Sequence, residues 1–546
     1  MRPILSVCII MKNEEKVIGR CLESISGIAD EIIIVDTGSK DQSKEIAFQF
    51  TDKVFDFQWV NDFSKARNFA ATQARGEWIL AIDADEYVDR DSFEKFKNDL
   101  LSKPPGFNII GVQIVSFVGQ NGQHTSLNYH ERLYKNDGSI AYRRSIHEVL
   151  EHNDPAKAKH GIIDFQLYHS GYLTSTVQEK EKSNRNLELL LDNEHKEAID
   201  YFFIGNEYKN IDDNNRAIQY YQKAYSFKPD LNLEWVQKLL LYLSDALHQS
   251  NRNEESLDII ETCIEAFPNV VDFKYYKGII SFNQKQYKQA KIIFEEIILK
   301  KDILRSDSSD DYLEFLPLKH LGEIYEIEND LHKSVKSYSR ALSINDSDDK
   351  VWVNLIAILA KHSSLEELSI FLNDNMVNKK TMTPLRVVKI LLSVPNLNVQ
   401  KLSRSLLDNP DLTSIENEAL LIKNLQLDGY EFEISESIKK KNNQEVISLL
   451  TTGIFSLVDY ILLTMKMESD EFIEFLYNIK YDQPLVNLYN MIFKKKNKKL
   501  TSIEESFFES IYKQTEILES TEVLSILKGK RAFLSKKLKN KLNLIG

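Results

Sequence analysis

Short apolar runs alternate with amphipathic stretches over the first 117 or so residues, and this alternation sets the fold class. Runs rich in β-branched residues predict strands over 4–10, 31–35, 53–55, 78–82 and 109–117, and the stretches between them predict helices over about 14–26, 41–50, 63–75 and 91–102. Strands separated by ten to fifteen helical residues imply right-handed crossovers and an α/β fold, a mostly parallel sheet with helices on both faces. In such a sheet ligands bind beyond the carboxyl ends of the strands. Lys12-Asn13-Glu14, Asp36-Thr37-Gly38-Ser39 and Asp83-Ala84-Asp85-Glu86 all fall at that edge.

Past about residue 195 the strand pattern stops and helical periodicity takes over. Small and aromatic residues recur in register: Gly205, Tyr208, Ala217, Tyr221, Ala224 and Pro229, then Ser244, Leu247, Ser256, Ile260, Cys263 and Pro268. Gly278, Ala290 and Phe294 open a third unit, and Gly322, Tyr325, Tyr338 and Ala341 a fourth. The first unit has the 34-residue tetratricopeptide spacing, which predicts an all-α superhelix of stacked helix pairs. The intervals of 39, 34 and 44 residues place extra residues in loops, including the acidic stretch 307–311. A further pair is expected over 351–372, and helices without a clear period over 415–425, 443–465, 470–479 and 503–518. The expected domains are therefore 1–195, 196–372 and 373–546.

With 546 residues, 28% of them charged, and a net charge of −13, the composition describes an acidic protein large enough for a complete enzyme and argues against a nucleic-acid binder. Three cysteines without metal or redox spacing argue for a reducing compartment, with the cytoplasm as the expected location. The N-terminal apolar run leads into Lys12-Asn13-Glu14-Glu15 and reads as a first strand, not a signal peptide. No run approaches the roughly 18 to 20 apolar residues of a membrane span. The tail 528–546, basic and without acids, carries Leu534, Leu538 and Leu542 on one helical face. A last helix capping the superhelix is the preferred reading, with a peripheral membrane contact left open.

Two carboxylates one residue apart, where a buried strand ends and the backbone turns, can converge on one divalent cation. Hard oxygen ligands of this kind suit Mg2+ or Mn2+ carrying a diphosphate. The segments Ser6 to Glu15, Ile34-Val35-Asp36-Thr37-Gly38-Ser39, Ala66-Arg67-Asn68 and Ile82-Asp83-Ala84-Asp85-Glu86 together resemble the family 2 glycosyltransferases of the GT-A fold. With Asp62-Phe63-Ser64 and the repeats, the chain is similar to a bacterial subgroup that includes the S-glycosyltransferases of glycocin peptides of the sublancin type. The resemblance implies that Asp36 reads uracil, that Asn13 and Glu14 lie beside the base or ribose, and that Arg67 faces the diphosphate. It further implies that Asp85 binds the metal and that Asp83 holds the ribose or joins the metal shell, with His169 or His147 as the third ligand. Glu148 is the expected general base of an inverting transfer, with His147 as the alternative and Glu151 and Asp164 not excluded.

The expected activity is transfer of a hexose, glucose above all, from a UDP-sugar to a Cys, Ser or Thr side chain of a peptide or protein held by the repeats. Two other readings stand beside it: a lipid-linked or cell-envelope saccharide as acceptor, and a non-catalytic repeat scaffold with a relic nucleotide-binding domain. Self-association as a homodimer through the repeat surface is compatible with each.

Overall fold

The computed structural model describes residues 3–102, 105–118, 124–169, 176–192, 196–379, 381–478, 485–494 and 499–544. The chain forms two compact units, Met1–Leu313 and Glu314–Gly546.

In the first unit β1 (Leu5–Met11), β2 (Glu31–Asp36), β3 (Val54–Asp56) and β4 (Trp78–Asp83) alternate with α1 (Ile18–Ile25), α2 (Ser43–Ala47) and α3 (Phe63–Gln73). There follow β5 (Glu86–Tyr87), α4 (Arg90–Ser102), β6 (Ile109–Val118), β7 (His124–Lys135), β8 (Ile140–Arg143), β9 (Val149–His152), β10 (His160–His169) and α5 (Thr176–Asp192). Eight strands make one sheet in the order β3-β2-β1-β4-β7-β6-β10-β5, and β8 pairs with β9 separately. The first four strands pair in parallel, whereas β7 runs antiparallel to both β4 and β6.

The apolar runs are continuous because both faces of the sheet are covered. Val7, Ile9, Ile32, Ile34, Leu80 and Ile82 meet α1 and α4 on one side. Cys8, Ile33, Val35, Ile79 and Ala81 meet Ala70 of α3, Tyr134 and Tyr142 on the other. Helix α1 buries Ile18, Cys21, Leu22 and Ile25, a spacing that puts all four on one face.

Several expected boundaries change. The helix expected over 14–26 begins only at Ile18, because Asn13 takes a left-handed φ of 58° and the chain turns through Glu14. Strands β7 to β10 were not foreseen, since polar residues interrupt their apolar pattern.

Beyond α5 come α6 (Ala198–Asn210) with α7 (Asn214–Ser226), α8 (Glu234–Gln249) with α9 (Asn253–Ala266), and α10 (Val271–Asn283) with α11 (Tyr287–Lys300). The glycines of these pairs are required by close approach: a Cβ on Gly205 would sit 2.5 Å from the Tyr221 ring, and one on Gly278 2.5 Å from Phe294.

The second unit repeats this device in α12 (Phe315–Ile327) and α13 (Leu331–Ile344), where Gly322 lies against Tyr338. It continues through α14 (Asp349–His362) and α15 (Leu365–Leu372) into further helices. The helix expected over 443–465 is two, Asn443–Thr451 and Leu457–Met467, split where Gly453 adopts φ 73° and Ser456 with Asp459 forms a new capping box. Leu534, Leu538 and Leu542 of the basic tail are buried, and Ser535 bonds to Glu505. No helix among the described residues is long and apolar enough to cross a membrane.

Candidate active site

The parallel register brings three acid-bearing turns to one sheet edge: Met11 pairs with Asp36, and Ile10 with Asp83. Asp36 is 2% exposed at the end of β2 and accepts from the backbone N–H groups of Gly38 and Ser39 at 3.1 to 3.2 Å. Asn13 donates its N–H to Ser39 Oγ (2.9 Å) and accepts from Lys40 N–H (2.7 Å), so the β1 and β2 turns are stitched together. Glu14, its N–H on Ser43 Oγ (2.7 Å), is half-buried. Burial, with the charges of Asp85, Asp41 and Asp83, pushes its pKa up to about 7.

Asp83 and Asp85 have different surroundings. Asp83 Oδ1 accepts from Arg67 Nη2 at 2.7 Å, and its Oδ2 from Arg132 Nη2 at 2.6 Å. Burial opposes its ionisation, but Arg132 and Arg67 overcome this and hold the carboxyl well below the usual carboxylate range. Asp85, past the end of β4, lies with its Oδ2 3.0 Å from His169 Nε2. His169 reaches it because the last residue of β10 pairs with Glu86 on one side and Ser116 on the other. Burial alone would depress the imidazole; the hydrogen bond and charge of Asp85 raise it instead.

Arg67 is placed by α3, whose N-terminus is capped by Asp62, accepting from Lys65 N–H at 3.0 Å. Its Nε donates to Glu148 Oε1 at 3.0 Å, and its guanidinium lies over the Tyr142 ring at 5.5 Å. The neighbouring Asn68 brackets the Tyr142 backbone with two 2.8 Å hydrogen bonds, fixing β8 against α3. His147 stacks on Phe203 with centroids 3.9 Å apart, and partial desolvation there lowers its pKa, although the residue keeps exposed surface.

The structure thus brings together Arg67, Asp83 and Glu148 in one ion-pair chain and Asp85 with His169 in a second pair, while Asp36 and Asn13 border them through the β2 turn. Two partners were not assigned from the sequence. Arg132 on β7, its side chain 13% exposed, lies between Asp83 (2.6 Å) and Glu86 (3.3 Å). Glu86 is 2% exposed and accepts the Asp83 N–H at 2.9 Å; burial, only partly opposed by Arg132, raises its pKa to about 7. The acid of Glu86 in the motif was a visible signal, whereas no local pattern ties Arg132 to Asp83, 49 residues away.

Among the described residues no three or more His, Cys, Asp or Glu side chains converge as a complete cation cage. Asp85 and His169 form a half-site. One oxygen and one imidazole donor fit a divalent ion that takes its remaining ligands from a diphosphate and water.

Residues 6–170 match glycosyl transferase family 2. The N-terminal domain is a family 2 glycosyltransferase domain. Residues 201–231 and 320–348 match the tetratricopeptide repeat. The SPbeta prophage-derived glycosyltransferase SunS of Bacillus subtilis (strain 168) is 28% identical over 295 residues, which cover 52% of this chain and 68% of SunS. A TPR repeat-containing protein of Synechococcus elongatus is 32% identical over 147 residues, 27% of this chain and 35% of that protein. Among solved structures, S. aureus TarS 1–349 in complex with UDP aligns over 45% of this chain and 80% of that one, at 18% identity and a TM-score of 0.25. In family 2 terms, the glycosyltransferase domain of this chain presents its acids at the carboxyl ends of β1, β2 and β4.

Proposed function

We propose that this glycosyltransferase moves a hexose, glucose above all, from a UDP-sugar to a Cys, Ser or Thr side chain of a peptide or protein, with inversion and with Mn2+ or Mg2+. The observation that carries the reading is the pairing of the Asp85 and His169 half-site with the chain of Arg67, Asp83 and Glu148 at one strand edge. Asp36 would accept the uracil imide N–H, and Asn13 and Glu14 would border the base and ribose. Arg67 would face the diphosphate as a fixed cation, oriented by Asp83. Asp85 and His169 would hold the ion, with Asp83, both of whose oxygens accept from arginines, keeping Arg67 in place beside them. A divalent cation there supplies charge stabilisation for the departing diphosphate.

Glu148 would take the acceptor proton, with His147 as the alternative. A thiol acceptor, with a pKa near 8.5, makes the smaller demand on that base. The repeats support a polypeptide acceptor, because stacked helix pairs present a concave surface suited to extended chains. We place the transferase at 1–195, the repeats at 196–372 and a helical region at 373–546. The three cysteines are buried and free, in keeping with a reducing cytoplasm. Burial of the tail leucines leaves the lipid-linked acceptor without an apolar anchor in that segment.

The test is UDP release by the purified protein over a panel of UDP-sugars and cysteine- or serine-containing peptides, with Mn2+, Mg2+ or EDTA. Metal-dependent release that disappears in Asp85→Ala is expected. Silence with every donor, together with no UDP binding, would leave the relic-domain scaffold.

A further inference from the structure

The segment carrying Glu148, residues 144–148 between β8 and β9, has two non-glycine residues in the left-handed region, Arg144 at φ 76° and His147 at φ 54°. Such conformations are uncommon for non-glycine residues, and for an arginine, unlike a histidine, are strained unless the surroundings hold them. Here the enforcement comes from two sides. From the transferase core, Phe63 at the start of α3 donates its N–H to Ser145 O at 2.8 Å, and Arg67 donates to Glu148 at 3.0 Å. From the repeats, three contacts converge from α6 and its surroundings. Arg144 pairs with Asp200 and, at 3.5 Å, with Glu197; His147 stacks on Phe203 at 17°; and Ile146, 7% exposed, joins the cluster containing Phe202, Ile204 and Tyr208. Asp200 is itself fixed, since it accepts the Glu197 N–H at 2.7 Å in the capping box of α6.

We propose that α6 is part of the catalytic apparatus: through Arg144, Ile146 and His147 it holds the loop that aims Glu148, so that Arg144 and Phe203 are positioning residues for the transfer step. The inference rests on Glu148 as the base and goes beyond a repeat array that only holds the acceptor. An unfastened surface loop would be mobile. A base must stand within hydrogen-bond reach of its proton, and a misplacement of about 1 Å costs on the order of a hundredfold in rate.

The experiment uses the full chain with the donor and peptide that release UDP fastest, and compares Arg144→Met, Arg144→Lys and Phe203→Leu, each alone and in a Glu148→Gln background. Arg144→Met and Phe203→Leu are expected to lower kcat by roughly ten- to a hundredfold. Donor KM and UDP affinity by calorimetry should stay within about twofold of wild type, because the donor contacts do not pass through α6. Arg144→Lys, which keeps the charge, should recover part of the rate. In the Glu148→Gln background neither positioning variant should lower the rate further, because the residue it aims is gone. Should Arg144→Met fail to fold, Phe203→Leu reads the same coupling without touching the ion pair. Equal losses in both backgrounds, a change in KM alone, or a full rate in the single variants beside an inactive Glu148→Gln would overturn the inference. A Glu148→Gln protein at the full rate would instead remove the base assignment, and the inference with it.

Discussion

Arg132→Met is the sharpest test of the site's electrostatics, because Arg132 serves two carboxylates with different exposures. Its Nη2 lies 2.6 Å from Asp83 Oδ2 and 3.3 Å from Glu86 Oε1. Asp83 is about one-third exposed and keeps Arg67, so its share of the loss is screened, at about 1 kcal/mol. Glu86 is buried and loses the guanidinium that opposes its desolvation. Its pKa in the folded chain is already about 7, above the ordinary 4.5, so the folded state favours the protonated form. The stability this group contributes is full below pH 4.5 and is lost as pH rises through 7. Removing Arg132 raises the folded pKa further, and each added unit costs about 1.4 kcal/mol once the pH exceeds both values. Near pH 5.5 Glu86 is protonated with or without Arg132, so destabilisation of about 1 kcal/mol is expected; near pH 8.5 it should reach about 3 kcal/mol. Urea unfolding followed by tryptophan fluorescence reads this, since Trp59, Trp78 and Trp235 all lie in the first unit. Adding Glu86→Gln should abolish the pH dependence. Equal destabilisation at both pH values, or a larger one at pH 5.5, would refute the reasoning.

Glu14→Gln should raise stability at pH 8.5, by less than about 1 kcal/mol because the site is half-exposed, while weakening donor binding; the gain should shrink as pH falls below the folded value of about 7 and vanish only well below 4.5, where Glu14 is protonated in the unfolded state too. Gly205→Ala should cost about 1 to 3 kcal/mol in thermal unfolding, since the new Cβ would sit 2.5 Å from Tyr221; an unchanged melting curve would show that the helix pair shifts freely. EDTA should stop UDP release and Mn2+ restore it, and His169→Ala should raise the Mn2+ concentration needed by at least about tenfold in the same assay.

The parts of the fold that could be read from sequence are those whose signal is local. Strands β1, β2 and β4 are continuous apolar runs because helices cover both sheet faces, and the repeats announce themselves because a glycine in one helix must face an aromatic ring in the next. Strands β7 to β10 gave no such signal. β7 reads His-Thr-Ser-Leu-Asn-Tyr-His-Glu-Arg-Leu-Tyr-Lys, and its polar residues interrupt the alternation that marks a half-buried strand. The same holds for the site: the acids at strand ends follow from pattern, but Arg132 lies 49 residues from Asp83, and His169 lies 84 from Asp85. The sheet order, which inserts β7 beside β4 and sets β10 beside β5, makes those pairs, and no window of sequence contains it.

The two aspartates of one motif acquire opposite characters from this topology. Asp83 ends β4 inside the ladder, meets a guanidinium from α3 and another from β7, and is fixed as an anion whose negative charge is already answered. Asp85 lies two residues on, against an imidazole that is charged only when protonated. The upward shift of Glu14, driven after burial by Asp85, Asp41 and Asp83, shows that negative potential survives on the β1 side despite the arginines. A diphosphate entering there would meet repulsion from the same groups that raise Glu14. A divalent cation seated against Asp85 and His169 would reverse that field beside a departing diphosphate, so on the proposed mechanism Asp85→Ala should lose the metal-dependent UDP release.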